Sequence, residues 1–418
     1  MRKLLLASTI LLTACSSLPD WLGAGEDDQP LPGERISVIE SSVNLIADPD
    51  LTAETVASVE TSINLESFKT YPVGDAAPDK YVLTNSPLIA EGKLFIVDGS
   101  STVRAYNLAD MKELWKNKVT SETDDDDDKE LPGGGIAYAN GIIYATRGNG
   151  DVVALAVDNG TEIWKKNLGA PIRKSPAVGE EKVFAATADN QLFALNLVDG
   201  STVWRHSGSA ESTINYGSPA PAIKDGSVVV AYSSGEIFGL NSLRGSELWA
   251  ETISTGTERR KTASTFVDVS ATPVLVDGIS YIGSQNGSLI AYNTGSGYRI
   301  WEQKIGAVEY TPAVVDKFIF AIGDNSRMVA LSRFDGKVKW SVDLPPKEDK
   351  KDTEKWAGPT VVGSRIIAVS SNGRMAVYDI NNGQLTGLKA APAGGFALPV
   401  ANGNNLYILS KDAQLAVF

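Results

Sequence analysis

Short apolar runs separated by small polar turns repeat along the chain from residue 87 to the C-terminus. Each repeat contains four runs of β-forming residues, and a tight turn follows the first run. Residue pairs that supply the positive φ angles of such hairpins occupy this turn. They are Glu91-Gly92, Asn140-Gly141, Asp225-Gly226 and Asp277-Gly278. The pattern predicts four short antiparallel strands in every repeat.

Three landmarks recur at fixed places in the repeat. A large apolar residue lies 19 residues after the first residue, a tryptophan lies 28 residues after it, and a glycine usually lies four residues before the tryptophan. The first residues are Pro87, Ile136, Pro176, Pro221, Pro273, Pro312, Pro359 and Pro399, and the tryptophans are Trp115, Trp164, Trp204, Trp249, Trp301 and Trp340. Gly387 replaces the tryptophan of the seventh repeat, and Met111 replaces the glycine of the first.

Four-stranded units at this spacing are typical of β-propeller blades. The fold class predicted is therefore all-β, an eight-bladed β-propeller, with the tryptophans packed in the seams between blades. The eighth repeat stops at Phe418, before its fourth strand, and an open ring would leave a sheet edge exposed. We predict that an N-terminal strand closes the ring. Ser62–Lys69 is the first candidate, with Phe68 in the place of the tryptophan, and Arg35–Ile39 is the second.

The first residues of the chain have the pattern of a targeting signal. Arg2 and Lys3 precede the apolar run Leu4–Leu12, which is too short to span a bilayer. Leu12-Thr13-Ala14-Cys15 resembles a bacterial lipobox, which implies lipidation of Cys15 and anchoring by acyl chains. The predicted domains are a signal peptide (residues 1–14), a lipidated and mostly flexible tether (15–59) and the propeller (60–418).

Charge and composition restrict the partners. There are 38 Lys and Arg residues against 51 Asp and Glu, and the formal net charge is −13. Because phosphate binding needs clustered cations, no nucleic-acid partner is predicted. The acidic run Asp124–Asp128 is interpreted as a solvated loop tip.

Few residues are candidates for catalysis. Cys15 is the only cysteine, so the chain has no internal disulfide and no vicinal cysteine pair. His206 is the only histidine, and we expect it at the surface of an outer strand. Gly133-Gly134-Gly135 lacks the Lys-Ser/Thr that follows in a phosphate loop. We predict no catalytic residue, no metal site and no cofactor.

The repeat, for example Leu192-Phe193-Ala194-Leu195 followed by Gly200 and Trp204, resembles the quinoprotein-type propeller repeat. Together with the lipobox, the eight repeats and the stretch Pro32-Gly33-Glu34-Arg35-Ile36-Ser37-Val38, the chain resembles the BamB family of outer-membrane assembly lipoproteins. The resemblance covers residues 1–418. It implies a non-catalytic scaffold at the periplasmic face of the outer membrane, which binds the periplasmic domains of BamA, other assembly subunits and unfolded outer-membrane protein precursors.

In that family, two connections between blades carry the contact with BamA. The first precedes the Pro221 repeat, and the resemblance places partner-binding residues at Thr213, Ile214, Asn215 and Tyr216. The second precedes the Pro273 repeat and contains Asp268 and Ser270. All connections between blades emerge on one face of a propeller, which is the predicted binding face. The alternative is a periplasmic quinoprotein-like dehydrogenase or a sensor of small ligands.

Overall fold

In a computed structural model, the chain forms eight four-stranded antiparallel sheets, each with its strands in a simple meander order. The structure describes residues 45–57, 61, 63–76, 85–118, 133–209, 219–253, 271–324, 326–346, 354–394 and 397–418. The sheets are the blades of a β-propeller, which confirms the predicted fold class.

The strand bounds, blade by blade from the innermost strand outwards, are as follows. Blade 1 contains β2 (Leu88–Ala90), β3 (Lys93–Val97), β4 (Thr102–Asn107) and β5 (Glu113–Lys118). Blade 2 contains β6 (Gly134–Ala139), β7 (Ile142–Arg147), β8 (Asp151–Ala156) and β9 (Glu162–Asn167). Blade 3 contains β10 (Ala177–Gly179), β11 (Lys182–Ala186), β12 (Gln191–Asn196) and β13 (Thr202–Ser207). Blade 4 contains β14 (Ala222–Lys224), β15 (Ser227–Ala231), β16 (Glu236–Asn241) and β17 (Glu247–Thr252). Blade 5 contains β18 (Val274–Val276), β19 (Ile279–Gly283), β20 (Ser288–Asn293) and β21 (Arg299–Lys304). Blade 6 contains β22 (Ala313–Val315), β23 (Phe318–Gly323), β24 (Arg327–Ser332) and β25 (Val338–Asp343). Blade 7 contains β26 (Trp356–Val362), β27 (Arg365–Ser370), β28 (Arg374–Asp379) and β29 (Leu385–Ala390). Blade 8 contains β30 (Val400–Asn402), β31 (Asn405–Leu409), β32 (Gln414–Val417) and the N-terminal β1 (Lys69–Pro72).

The strand directions separate two faces of the ring. Because the strands alternate in direction, the turns between first and second strands and between third and fourth strands lie on one side, which we call the turn face. The turns between second and third strands share the other side with the connections between blades, and we call this side the connection face.

Six seams between neighbouring blades have the same construction, in which a tryptophan of one outer strand packs on a glycine of the next blade. Trp164 Nε1 donates a hydrogen bond of 3.0 Å to the Leu197 carbonyl. A Cβ atom at Gly200 would lie 2.5 Å from the Trp164 ring, and Gly200 has a φ of +68°, so only glycine suits this place. The pairs are Trp115–Gly160, Trp164–Gly200, Trp204–Gly245, Trp249–Gly297, Trp301–Gly336 and Trp340–Gly383. The predicted seam position of the tryptophans is confirmed.

The ring closes through β1, which pairs antiparallel with β32 and completes blade 8. The prediction of an N-terminal closing strand is confirmed, but the bounds Ser62–Lys69 were wrong, since the strand starts at Lys69. In blade 3, Trp204 lies opposite Ala194 of the third strand. The residue of blade 8 that corresponds to Ala194 is Val417, and it lies opposite Lys69 rather than Phe68. A shift of one residue turns a side chain to the other side of a sheet, so Phe68 does not replace the tryptophan. The second candidate, Arg35–Ile39, lies outside the described residues.

The seam between blades 7 and 8 has no tryptophan and is filled by the segment before β1. Ile63 and Leu65 are buried there, against residues of β27, β28 and β31. Arg365 donates a hydrogen bond of 3.0 Å to the Ile63 carbonyl. Lys389 forms an ion pair with Glu66 at 2.5 Å. This packing explains why the segment before Lys69 is not a strand of blade 8.

The seam between blades 8 and 1 also lacks a tryptophan. The apolar cluster of this seam is covered by Met111 and by Tyr71 of β1. Met111 has a left-handed backbone, with a φ of +57°. The chain that leaves β1 is fixed by the fully buried Asp98 carboxylate, which accepts hydrogen bonds from the Asp75 N–H (3.2 Å) and from Arg104 Nε (2.6 Å).

Residues 45–57, which we call the N-terminal strap, pack along blades 6 and 7. Their only helix is α1 (Pro49–Thr52), whose N-cap Asp48 accepts a hydrogen bond of 2.9 Å from the Asp50 N–H. Among the described residues, no helix is long and apolar enough to cross a membrane. The compact unit begins at Leu45, ahead of the propeller boundary predicted at residue 60.

A buried lysine of the outer strand of blade 6 holds the strap. Lys339 Nζ donates hydrogen bonds to the Leu51 carbonyl (2.8 Å) and to the Glu54 carbonyl, and burial lowers the pKa of Lys339. The Val56 side chain is buried in the core between blades 6 and 7, and its N–H donates to Asn381 Oδ1 at 2.8 Å. The strap is therefore part of the folded body, attached at the turn face.

Candidate partner-binding face

The residues predicted to bind partners belong to two connections. The first connection (residues 208–221) joins blades 3 and 4, and the second connection (residues 253–273) joins blades 4 and 5. Cys15 and the run Asp124–Asp128 lie outside the described residues. The predicted partner-binding residues also lie outside them, namely Thr213, Ile214, Asn215, Tyr216, Asp268 and Ser270. The described ends of the two connections show how each one is attached to the ring.

Glu236, the first residue of β16, fixes the start of the first connection. One carboxylate oxygen accepts a hydrogen bond from the Ser209 N–H (2.7 Å), and the other accepts one from Ser209 Oγ (2.8 Å). Ser234 Oγ also donates to this carboxylate, at 2.8 Å. Burial raises the pKa of Glu236, but the hydrogen bonds from Ser209 and Ser234 outweigh burial, so the pKa lies below its usual value. The carboxylate is therefore ionised at neutral pH.

Asn190, in the turn between β11 and β12, ties the same connection to blade 4. Its side-chain amide donates to the Ser209 carbonyl (2.9 Å), while Oδ1 accepts hydrogen bonds from the N–H and the hydroxyl of Ser233 (3.1 and 2.9 Å). The Gly208 N–H donates to the Asn190 carbonyl at 2.8 Å. We call Asn190, Ser209 and Glu236 the clamp.

The second connection starts from the same place. The Ile253 N–H donates a hydrogen bond of 3.0 Å to the carbonyl of Gly235, next to Ser234 and Glu236. Ile253 and Ala271, at the two described ends of the connection, are both buried. Gly235 and Glu236, which are adjacent in blade 4, therefore bind the starts of the second and the first connection on the connection face.

His206 lies in β13, just before the first connection. The prediction that its side chain is at the surface was wrong. The side chain is 8% exposed, with Nδ1 at 3.0 Å from the Tyr232 hydroxyl and Nε2 at 3.1 Å from Glu247 Oε1. Residues two apart in a strand face the same side of the sheet, so His206 points into the same seam as Trp204. Its aromatic and carboxylate neighbours make it part of the packing between blades 3 and 4.

The clamp was missed by sequence reasoning, although a weak signal exists. Glu236 is the only glutamate that begins a third strand, and Asn190 occupies a left-handed turn position (φ +61°) where four other blades have glycine. The third strands begin with Thr102, Asp151, Gln191, Glu236, Ser288, Arg327, Arg374 and Gln414. Ser101, Ser326 and Ala413 take the same left-handed position in three further blades, so Glu236 is the more distinctive of the two residues.

The residues that the structure describes contain no group of three or more His, Cys, Asp or Glu side chains that could hold a metal ion.

The ring of eight blades, with its six Trp–Gly seams and a closing N-terminal strand, defines an eight-bladed β-propeller with quinoprotein-type repeats. Comparison with known families makes the assignment narrower. The chain belongs to the family of the outer membrane protein assembly factor BamB, whose family model matches residues 99–342.

Individual relatives agree with this assignment. Outer membrane protein assembly factor BamB of Shewanella oneidensis is 22% identical over 368 residues, which cover 87% of this chain and 91% of that protein. The crystal structure of BamB from Moraxella catarrhalis superimposes with a TM-score of 0.64 at 18% identity, covering 84% of this chain and 97% of that one.

An enzyme has the same fold. Quinohemoprotein alcohol dehydrogenase from Comamonas testosteroni superimposes with a TM-score of 0.61 at 13% identity, covering 85% of this chain and 76% of that one. The propeller alone therefore does not distinguish a scaffold from a dehydrogenase.

Proposed function

We propose that the protein is a non-catalytic scaffold in the assembly of outer-membrane β-barrel proteins, anchored through lipidated Cys15 at the periplasmic face of the outer membrane. Membership of the BamB family supports the role in assembly. The observation that carries the scaffold role is the attachment of two connections to adjacent residues of one blade, Ser209 to Glu236 and Ile253 to Gly235. Loops fixed on a rigid base are a common form of binding surface.

The proposed partners are the periplasmic domains of BamA, other subunits of the assembly complex and unfolded outer-membrane protein precursors. In the first connection, Tyr216 supplies an aromatic ring with a polar tip, a residue type enriched at binding hot spots. In the second, Asp268 supplies a carboxylate that can accept charge-assisted hydrogen bonds from a basic residue of a partner. The common attachment of the two connections supports their use as one contact surface.

The test is co-purification of BamA from detergent-solubilised membranes with the double variant Tyr216→Ala and Asp268→Arg. We expect BamA binding to weaken about tenfold, which corresponds to about 1.4 kcal/mol, while the melting transition stays nearly unchanged. A folded double variant that retains BamA fully would place the contact on another surface.

The dehydrogenase alternative has a simple control. The chain has a single cysteine, so it lacks the vicinal cysteine pair that many quinoprotein dehydrogenases use. The absorbance spectrum of the purified protein with added quinone separates the two functions. We expect no bound chromophore, whereas a stoichiometric chromophore would favour the dehydrogenase.

A further inference from the structure

The most exposed large apolar side chains of the described residues lie on one side of the ring. Ile46, Val198, Leu243 and Tyr298 are 62–75% exposed, and Phe334 is half exposed. The last four lie in the turns between the third and fourth strands of blades 3, 4, 5 and 6, which are consecutive in the ring. Ile46 belongs to the N-terminal strap, which is attached at the same turn face. We call these five residues the apolar arc.

The packing of the ring does not require the apolar arc. The Leu197 carbonyl accepts the hydrogen bond of Trp164, and Val198 follows it with an exposed side chain. The Trp115 seam contains the same kind of bond, but an aspartate, Asp158, stands in the matching place. A seam is therefore complete without a large apolar residue at this position of the turn.

The positions of the arc suit a flat and fluid surface. Because the turns between third and fourth strands lie on one side of the ring, their exposed side chains lie near one plane. Each of these turns belongs to a different blade, so the side chains form separate points rather than one patch. A folded partner would need a matching pocket for every point, whereas a lipid bilayer accepts apolar side chains anywhere in its plane. Leu and Phe enter bilayers favourably, and a tyrosine such as Tyr298 is typical of the interface with water.

The path of the chain indicates a bilayer as the surface. The described part of the chain begins at Leu45, which packs against the apolar cluster of blades 5 and 6. Cys15, the proposed site of lipidation, precedes Leu45 by a few tens of residues. A link of this length keeps the propeller at a local concentration of about millimolar near the bilayer, so a weak contact is sufficient for docking.

Charge on the turn face restricts the kind of lipid. The turns between first and second strands lie on this face as well, and in most blades they carry an acidic residue. These residues are Glu91, Glu180, Asp225, Asp277 and Asp316. With a formal net charge of −13, the protein has no general attraction to anionic lipid. The expected contact is therefore apolar and does not depend on anionic headgroups.

We propose that the protein docks its turn face on a surface of zwitterionic phospholipid, with the apolar arc inserted at the level of the headgroups. The inference rests on the proposed function only for the lipid at Cys15. It adds a second membrane contact, which the folded propeller itself makes. It also directs the connection face away from the membrane, where a protein partner has access to it.

The experiment places a polarity-sensitive dye on the arc of the full-length, lipidated protein. In Leu243→Cys the new cysteine carries the only free thiol, because acylation occupies the sulfur of Cys15. Dye emission and its quenching by iodide are recorded on phosphatidylcholine vesicles, with the same variant in a Cys15→Ser background as the reference in water. We expect emission at shorter wavelength on vesicles. At a local concentration near the dissociation constant about half of the molecules are docked, so quenching should fall by about half or more.

Two other positions serve as matched controls for the dye. Ala109→Cys lies in the same turn of blade 1, across the ring from blade 5, and Asp412→Cys lies on the connection face of blade 8. Both residues are exposed, and neither belongs to the arc. Dye at either position should stay as open to iodide on vesicles as in water.

A pair of substitutions tests whether the arc makes the contact. In the Leu243→Cys protein, Val198→Ser with Tyr298→Ser should weaken docking about tenfold and restore most of the quenching. Leu114→Ser with Ile163→Ser removes exposed apolar side chains from the outer strands of blades 1 and 2 and should leave docking within about twofold. All four side chains are exposed, so the melting transition should not change. Addition of anionic lipid should not strengthen docking.

Three results would overturn the inference. The first is equal quenching at position 243 on vesicles and in water, and the second is equal protection at Ala109. The third is protection in water that rises with protein concentration, which would place a second copy of the chain on the arc instead of lipid.

Failure of the proposed function has a different signature. A missing acyl mass would refute the anchor at Cys15, and the Cys15→Ser protein at high lipid concentration would then test the arc alone. Absence of BamA from a pull-down would leave every one of these measurements unchanged, since none of them contains BamA.

Discussion

The six Trp–Gly seams and the two seams beside blade 8 solve the same packing problem in different ways. In each of the six, one tryptophan and one glycine of neighbouring repeats fit together, as in Trp164 and Gly200. Between blades 7 and 8, Ile63 and Leu65 fill the space from a segment outside the repeats. Between blades 8 and 1, Met111 takes the place of the glycine.

The difference shows where the stability of the ring depends on distant parts of the chain. A Trp–Gly seam is complete once two consecutive repeats have folded. The seams beside blade 8 need the N-terminal segment to meet residues more than three hundred positions later, as in the bond from Arg365 to Ile63. We expect the ring to be most vulnerable at these two seams, because loop closure over a long distance must precede their contacts.

The largest expected effect comes from removing the closing segment. Deletion of residues 16–72 removes β1, Ile63 and Leu65 and leaves the edge of β32 unpaired, so we expect loss of cooperative folding and aggregation. Deletion of residues 16–58 removes the strap but keeps these parts, and it should give a soluble propeller with a lowered melting midpoint. Thermal melts with light scattering measure both, and equal midpoints would contradict the importance of the closing segment.

A Trp–Gly seam should show the next largest effect. Trp164→Ala removes a side chain that is 8% exposed together with its hydrogen bond to Leu197, and we expect a loss of about 3–5 kcal/mol in the free energy of unfolding. Ile163→Ala is the matched control, since Ile163 is 47% exposed on the same strand and should lose about 0.5 kcal/mol or less. Urea denaturation measures both values. A loss below about 1 kcal/mol for Trp164→Ala would be inconsistent with its seam position.

The smallest effect is expected at Met111. Met111→Gly relieves the strain of a left-handed backbone, which should raise the free energy of unfolding by about 1–2 kcal/mol. The same change removes a partly buried side chain, which should lower the free energy of unfolding by a similar amount. The free energy of unfolding should therefore change by about 1 kcal/mol or less. A loss of about 3 kcal/mol or more in urea denaturation would show that Met111 is as important to its seam as a tryptophan is elsewhere.

The repeated part of the fold could be predicted because its landmarks are local. Turn pairs such as Asn140-Gly141 and the Trp–Gly spacing lie within one repeat, so eight blades follow from the sequence. Two predictions were wrong, the register of the closing strand and the surface position of His206. Both depend on which side of a strand a side chain points to, and a shift of one residue reverses that side. Lys69 rather than Phe68 lies opposite Val417, and His206 faces the seam with blade 4.

The clamp and the strap could not be predicted in the same way. Glu236 and Ser209 are 27 residues apart, and Lys339 and Leu51 are 288 residues apart. Their bonds join polar groups whose partners depend on how two blades, or the two ends of the chain, meet in space. No periodicity in the sequence marks such pairs, and the proposed contact residues such as Tyr216 rest on the family resemblance alone.

The position of the strap has a mechanical consequence. β1 is an edge strand with four paired residues, and a pull on its free end could open these pairs one after another. The strap precedes β1 in the chain, so tension applied from the N-terminal side must first break its contacts with Lys339 and Asn381 before any force reaches Lys69. Blades 6 and 7 therefore bear the load, and the closure of the ring is protected from movements of whatever holds the N-terminus.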